Sequence, residues 1–157
     1  MFDQINGLPV HALVVHAVVI FVPLLAVGAI VYGLIARLRS KIGWAVGLLA
    51  IVAPISALVA MLSGNQLHQR LLDQGLKGKG AEILADHQGF GALTFWFSLG
   101  LGVVTLVMLA MTLRRSSSLP KAAEIGLTVV MVALAAVTGY YCFRTGDSGA
   151  TAVWGEY

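Results

Sequence analysis

Long apolar stretches alternate with short polar or basic segments along this chain. The apolar stretches cover about residues 8–38, 42–62, 87–113 and 122–143. A bilayer core of about 30 Å needs about 20 mostly apolar residues per helix, and every stretch reaches that length. The pattern therefore predicts an all-α fold, an integral membrane four-helix bundle, as a single domain over residues 1–157.

The segments between the stretches predict the turns. Residues 63–86 form the longest polar segment, where spaced leucines predict a short interfacial helix followed by a loop at residues 77–80. Pro23 and Pro54 lie inside the first two stretches, where each removes a helical hydrogen bond and predicts a kink. We find no internal repeat in the sequence.

Composition agrees with a membrane environment. Hydrophobic residues make up 59% of the chain and charged residues 11%, whereas a soluble domain carries about 25% charged residues. The net charge of +3 is modest, and the basic residues cluster beside apolar stretches. Such clusters orient membrane proteins, so the expected surroundings are a lipid bilayer and nucleic acid is not an expected partner.

The basic residues also predict the orientation of the helices. Two short turns carry six of the ten lysines and arginines, namely Arg37, Arg39, Lys41, Arg114, Arg115 and Lys121. Basic turns stay on the cytoplasmic side. Both termini and the 63–86 segment are therefore predicted to lie on the outer side.

The third stretch carries small and hydroxyl residues at helical spacing. Such residues mark helix contacts in lipid, so this stripe is predicted to face the bundle interior. Its members are His87, Gly91, Thr94, Ser98, Gly102 and Thr105. Several pairs of small residues elsewhere would also allow helices of two copies to pack together, so a homo-oligomer is a further expectation.

The histidines are the candidate functional residues. All four, His11, His16, His68 and His87, fall on the predicted outer side. Ionisable residues inside a membrane span are costly and mark function. Because neutral imidazole is a common ligand of haem iron, copper and zinc, His16 and His87 are predicted to share one buried site, with His11 as a further ligand.

Haem b is the cofactor favoured at this site. Gly91, just past His87, would let a flat macrocycle approach the backbone, and Arg144 would pair with a propionate. The alternative is copper or zinc held by the same three histidines, with Met61 or Cys142 as soft ligands. A third alternative is no cofactor, with the histidines used for packing and hydrogen bonds.

No catalytic motif appears, neither a nucleophile elbow nor a phosphate loop nor a dinucleotide fingerprint, so the chain is not predicted to be an enzyme. The favoured function is a small membrane subunit that transfers electrons together with a redox or respiratory membrane complex. The alternative is a non-redox scaffold or regulatory subunit of a larger complex.

A family resemblance adds to this. Residues 8–16 read Leu-Pro-Val-His-Ala-Leu-Val-Val-His, which resembles the opening of the bacterial membrane proteins grouped as domain of unknown function 2231. That opening usually continues Phe-Pro, where this chain has Ala17 and Val18. The Asp86–His87 pair and the small-residue segment 145–154 are also similar to the corresponding segments of that family. The resemblance implies a multi-pass protein of the bacterial inner membrane that is similar to b-type cytochrome subunits.

The orientation is testable by cysteine labelling in a Cys142→Ser background. A cysteine at Lys77 should react with an impermeant reagent from outside intact cells. Cysteines at Ser40 and Ser117, in the two basic turns, should not. The reverse pattern would contradict the orientation.

Overall fold

Four long helices form the protein. The structure is a computed structural model that describes residues 4–5, 8–113 and 120–155. The helices are α1 (Val10–Leu34), α2 (Arg39–Asp73), α3 (Lys79–Leu113) and α4 (Lys121–Trp154). Two short strands, β1 (Gln4–Ile5) and β2 (Leu8–Pro9), pair antiparallel ahead of α1. All four helices are long and apolar enough to cross a membrane, which confirms the predicted membrane bundle.

The helices pack in a ring in chain order. Each helix contacts the next, α4 closes the ring against α1, and α1 lies diagonally opposite α3. The core contains fully buried large side chains from three of the helices, Leu25, Tyr32, Leu101, Met108 and Met131. Exposed leucine, valine and isoleucine side chains cover the outside, where lipid takes the place of water.

The predicted stripe on α3 does face the interior. Thr94, Ser98, Gly102 and Thr105 are all buried. A Cβ atom added at Gly102 would lie 2.5 Å from the carbonyl oxygen of Ala50, so the absence of a side chain lets α3 press directly against the α2 backbone.

In the first basic turn, the side chain of Arg39 caps the carboxyl end of α1. A short 3-10 helix, Ala36–Leu38, separates α1 from α2, so α1 ends earlier than the predicted residue 38. Arg39 donates through Nε to the carbonyl of Tyr32 and through Nη2 to that of Gly33, both at 2.8 Å. Its Nη1 lies 2.6 Å from Glu124 Oε1 on α4. These bonds satisfy the free carbonyls at the end of α1 and fix α4 beside them.

The expected outer loop is mostly helix, which corrects the prediction for residues 63–86. α2 continues to Asp73 and α3 begins at Lys79. Only residues 74–78 turn, with positive φ at Gly75 (97°) and Gly78 (65°). Helix persists because the two helices keep contacting each other beyond the apolar stretches, through hydrogen bonds described below. We call residues 65–86 the α2–α3 extension.

α4 is also longer than predicted, since it ends at Trp154 and not near residue 143. Its glycine-containing tail stays helical because Ser148 and Thr151 hydroxyls donate to carbonyls of the preceding turn, of Thr145 and Asp147 respectively. The second basic turn, residues 114–119, and the extreme terminal residues lie outside the described part of the chain.

Gly102→Ala should destabilise the bundle by about 1–3 kcal/mol, because the new methyl group forces α2 and α3 apart. Thermal unfolding in detergent measures this. Gly139→Ala is the matched control, since no described atom lies within 4 Å of its added Cβ. That change should stabilise α4 by about 0.5–1 kcal/mol. Equal melting temperatures for the two variants would contradict the close α2–α3 contact.

Candidate cofactor site at the histidine pair

Two histidines from diagonally opposite helices meet inside one end of the bundle. His11 begins α1 and His87 lies on α3, and both are partly buried. Their ring centroids are 6.0 Å apart and the ring planes are nearly perpendicular, at 86°. We call this the histidine pair, and the end of the bundle that contains it the histidine end.

A backbone carbonyl of the adjacent helix holds each ring. His11 Nδ1 lies 2.9 Å from the oxygen of Ala60 on α2, and His87 Nδ1 lies 2.9 Å from the oxygen of Thr145 on α4. A carbonyl only accepts, so Nδ1 carries the hydrogen in both neutral rings. Each Nε2 therefore keeps its lone pair, which is the arrangement of histidines that ligate metals.

The surroundings of the two rings are alike. Ser63 and Ser148, three residues after the accepting carbonyls, donate back to those same carbonyls, each at 3.1 Å. Gly64 and Gly149 follow directly. A Cβ added at either glycine would lie 2.9 Å from Cε1 of the facing histidine. Each ring thus fills a space that only glycine leaves open. This recurring arrangement was missed in the sequence, where the two Ser-Gly pairs are the available signal.

A polar chain covers the pair on the side of the extension. His68 Nδ1 donates to Gln88 Oε1 at 2.7 Å, and Gln88 Nε2 donates to Asn65 Oδ1 at 2.6 Å. His68 lies within α2 and is partly buried. On the membrane side of the pair, the hydroxyls of Thr94 and Thr145 bond each other at 2.9 Å.

The predicted pairing of His16 with His87 is corrected by the structure. His16 is exposed, and its Nδ1 bonds the carbonyl of Ala12 on its own helix at 2.9 Å. A separation of five residues turns a helix by about 140°, so with His11 facing the interior His16 must face outward. His11, predicted as a secondary ligand, occupies the position expected for His16.

The other two predicted cofactor residues, Gly91 and Arg144, make contacts with α3 and α4 side chains. A Cβ on Gly91 would lie 3.9 Å from Thr145 Cγ2, so this glycine sits at the α3–α4 contact. The Arg144 guanidinium lies over the Phe90 ring, 4.6 Å from its centroid, and donates to the Tyr140 hydroxyl at 3.2 Å.

No larger ligand cluster accompanies the pair. Across the described ranges, no three histidine, cysteine, aspartate or glutamate side chains are grouped so as to hold a metal ion. Cys142 is a partly buried free thiol, and Met61 packs against the core.

Comparison with known proteins gives one match. The family model described as predicted membrane protein, domain of unknown function 2231, matches residues 7–156. No curated protein and no solved structure matches the chain at a significant level.

Gly64→Ala should cost about 1–3 kcal/mol of stability in the natural chain, because the methyl group collides with the His11 ring. The same change should cost much less in a His11→Ala background, where the ring is gone. Thermal unfolding of the four proteins gives the coupling. Gly146→Ala is the control, with no described atom within 4 Å of its added Cβ. An equal cost in both backgrounds would contradict the ring–glycine contact.

Proposed function

The chain belongs to the domain of unknown function 2231 family of predicted membrane proteins, and we propose that its histidine pair binds haem b. On this proposal the protein is a small membrane subunit that passes electrons to and from a partner, as part of a redox or respiratory membrane complex. The expected location is the bacterial inner membrane.

One observation carries the proposal: the rings of His11 and His87 lie 6.0 Å apart, centroid to centroid, and each donates through Nδ1 to a carbonyl of a neighbouring helix, which leaves Nε2 available to bind a metal. Metal–imidazole bonds of about 2.0–2.1 Å to both Nε2 atoms would place the ring centroids roughly 6 Å apart. The spacing suits a single metal ion held between the rings.

The number of ligands favours haem iron over a bare ion. Zinc sites take three or four protein ligands, and the described residues offer no group of three. Haem iron would need only two ligands from the protein, and His11 and His87 would supply them. Copper with two imidazoles is the remaining metal alternative.

The residues around the pair have definite tasks on this proposal. The carbonyls of Ala60 and Thr145 fix the tautomer and rotation of each ring, and Gly64 and Gly149 make room for them. Haem iron, when bound, would supply reversible one-electron chemistry. Because the pair lies where α1 begins, near one edge of the membrane span, electrons would be exchanged at the histidine end.

A second candidate function is a non-redox scaffold or regulatory subunit. The observation that favours it is that each histidine already bonds a neighbouring helix and fills a glycine space. These contacts tie α1 to α2 and α3 to α4, and they would stabilise the bundle with no cofactor at all.

Absorption spectra of protein purified from membranes with haem supplied would separate these functions. The natural protein should show a Soret band that His11→Ala or His87→Ala abolishes. His16→Ala and His68→Ala are matched controls and should keep the band. All four variants should remain in the membrane fraction, which shows that loss of the band is not loss of the protein.

Elemental analysis of the same samples covers the bare-ion alternative. Copper in the natural protein, lost in the His11 and His87 variants with no Soret band at any stage, would replace haem by copper. Neither haem nor metal in the natural protein would overturn the proposal and leave the scaffold function.

A further inference from the structure

His16 presents a hydrogen-bond acceptor to the outside of a membrane helix. Its Nδ1 donates to the carbonyl of Ala12 on the same helix at 2.9 Å, so in the neutral ring Nε2 can only accept. Within the described residues no partner reaches that atom. His16 lies about 7–8 Å further into the span than His11, at 1.5 Å per residue. A polar atom facing lipid there is costly, so it calls for a donor from outside the bundle.

The same face of α1 carries a second unsatisfied acceptor. Pro23 has no N–H, so the carbonyl of Val19 loses its helical hydrogen bond. Both Val19 and Pro23 are exposed, one turn and two turns along the helix from His16. In lipid, backbone carbonyls without donors are found where another protein surface covers them.

Helix geometry shows where this face points. Gly33 faces Thr128 on α4, and Gly28 faces Val46 on α2. At 100° per residue His16 lies roughly 100° around the helix from Gly33 and roughly 120° from Gly28. It therefore points away from the bundle, turned slightly toward the side where α4 lies.

α4 carries a matching donor on its own outer face. Tyr140 is 53% exposed, and its hydroxyl oxygen accepts from Arg144 at 3.2 Å, which leaves the hydroxyl hydrogen free to donate. Tyr140 lies roughly 120° from Thr128, which faces α1, and roughly 140° from Thr145, which faces α3. It too points away from the bundle.

The donor and the acceptor lie at the same depth. His16 is five residues from His11 along α1, and Tyr140 is five residues from Thr145, whose carbonyl bonds His87 at the level of the pair. Five residues span about 7.5 Å on both helices. Because α1 and α4 are neighbours, a single flat face of the bundle displays both residues.

We infer that this α1/α4 face is the interface of a homodimer, closed by reciprocal hydrogen bonds from Tyr140 of each copy to His16 of the other. A twofold axis along the membrane normal keeps every residue at its depth and places α1 of one copy opposite α4 of the other. The contact is self-complementary, so the His16 Nε2 of each copy receives a donor, as an isologous interface requires, and the Val19 carbonyl lies within the same covered face. This dimer does not depend on the haem proposal.

The α4 half of the interface allows close approach. Ala136 and Ala133, one and two turns from Tyr140, are both exposed on its outer face. Small residues let membrane helices approach until backbone and side-chain contacts form. On a surface otherwise rich in exposed valine, leucine and tryptophan, they lie beside Tyr140, the donor that matches His16 in depth.

Energy transfer between labelled copies in lipid vesicles tests the dimer. A single cysteine at Lys77, in a Cys142→Ser background, carries donor or acceptor dye, and transfer is followed as lipid dilutes the protein. Tyr140→Phe and His16→Phe should each raise the dissociation constant about 5- to 10-fold, since each removes two interhelical hydrogen bonds per dimer. The double variant should weaken the dimer little beyond either single change.

Trp96→Phe is the matched control, an exposed aromatic N–H donor on α3, the helix diagonal to α1. It should leave the dissociation constant unchanged. Monomers at every protein-to-lipid ratio, a dimer insensitive to both His16 and Tyr140, or equal weakening by Trp96→Phe would each overturn the interface. Retention of the dimer by His11→Ala would show that it stands apart from the cofactor site.

Discussion

Side chains that donate to backbone carbonyls of neighbouring helices hold this bundle in place. Inside lipid a helix satisfies its own backbone, so the polar side chains have few other partners available. His11 and His87 bond α1 to α2 and α3 to α4 at one end. Arg39 caps α1 and reaches α4 at the other. The location of the candidate site follows from these bonds, because the rings that make them are the ones that face each other.

The α1–α2 and α3–α4 hairpins hold their histidines through the same set of contacts. In each, a carbonyl accepts from the ring, the serine three residues later donates to the same carbonyl, and the next glycine makes room for the ring. Since α1 and α3 are diagonal, these two half-sites oppose each other across the bundle axis. A ligand between them would meet two nearly equivalent faces.

The sequence predicted the features that depend on length and spacing. Apolar stretches identified the four helices, and the α3 stripe faces the core as its spacing indicated. The helix ends were less predictable. In the sequence Gly64 and Gly149 resemble residues that end a helix, and only the structure shows that each makes room for a histidine ring. The pairing of His16 with His87 was wrong because five residues turn the helix by about 140°, so that His11 and not His16 faces the interior. The roles of Ser63 and Ser148 could not be predicted, because the sequence does not show which carbonyls accept from the histidines.

The α2–α3 extension carries continuous helix from the level of the histidine pair to the turn at residues 74–78. On α2 it continues nine residues past Gly64 to Asp73, about 13 Å of rigid helix. At its base Asn65 adjoins Gly64, Gln88 adjoins His87, and the two amides bond each other. The two helices of the extension are therefore joined to each other directly beside both rings, so the amide contact that holds the extension together also bears on the residues that surround the candidate site.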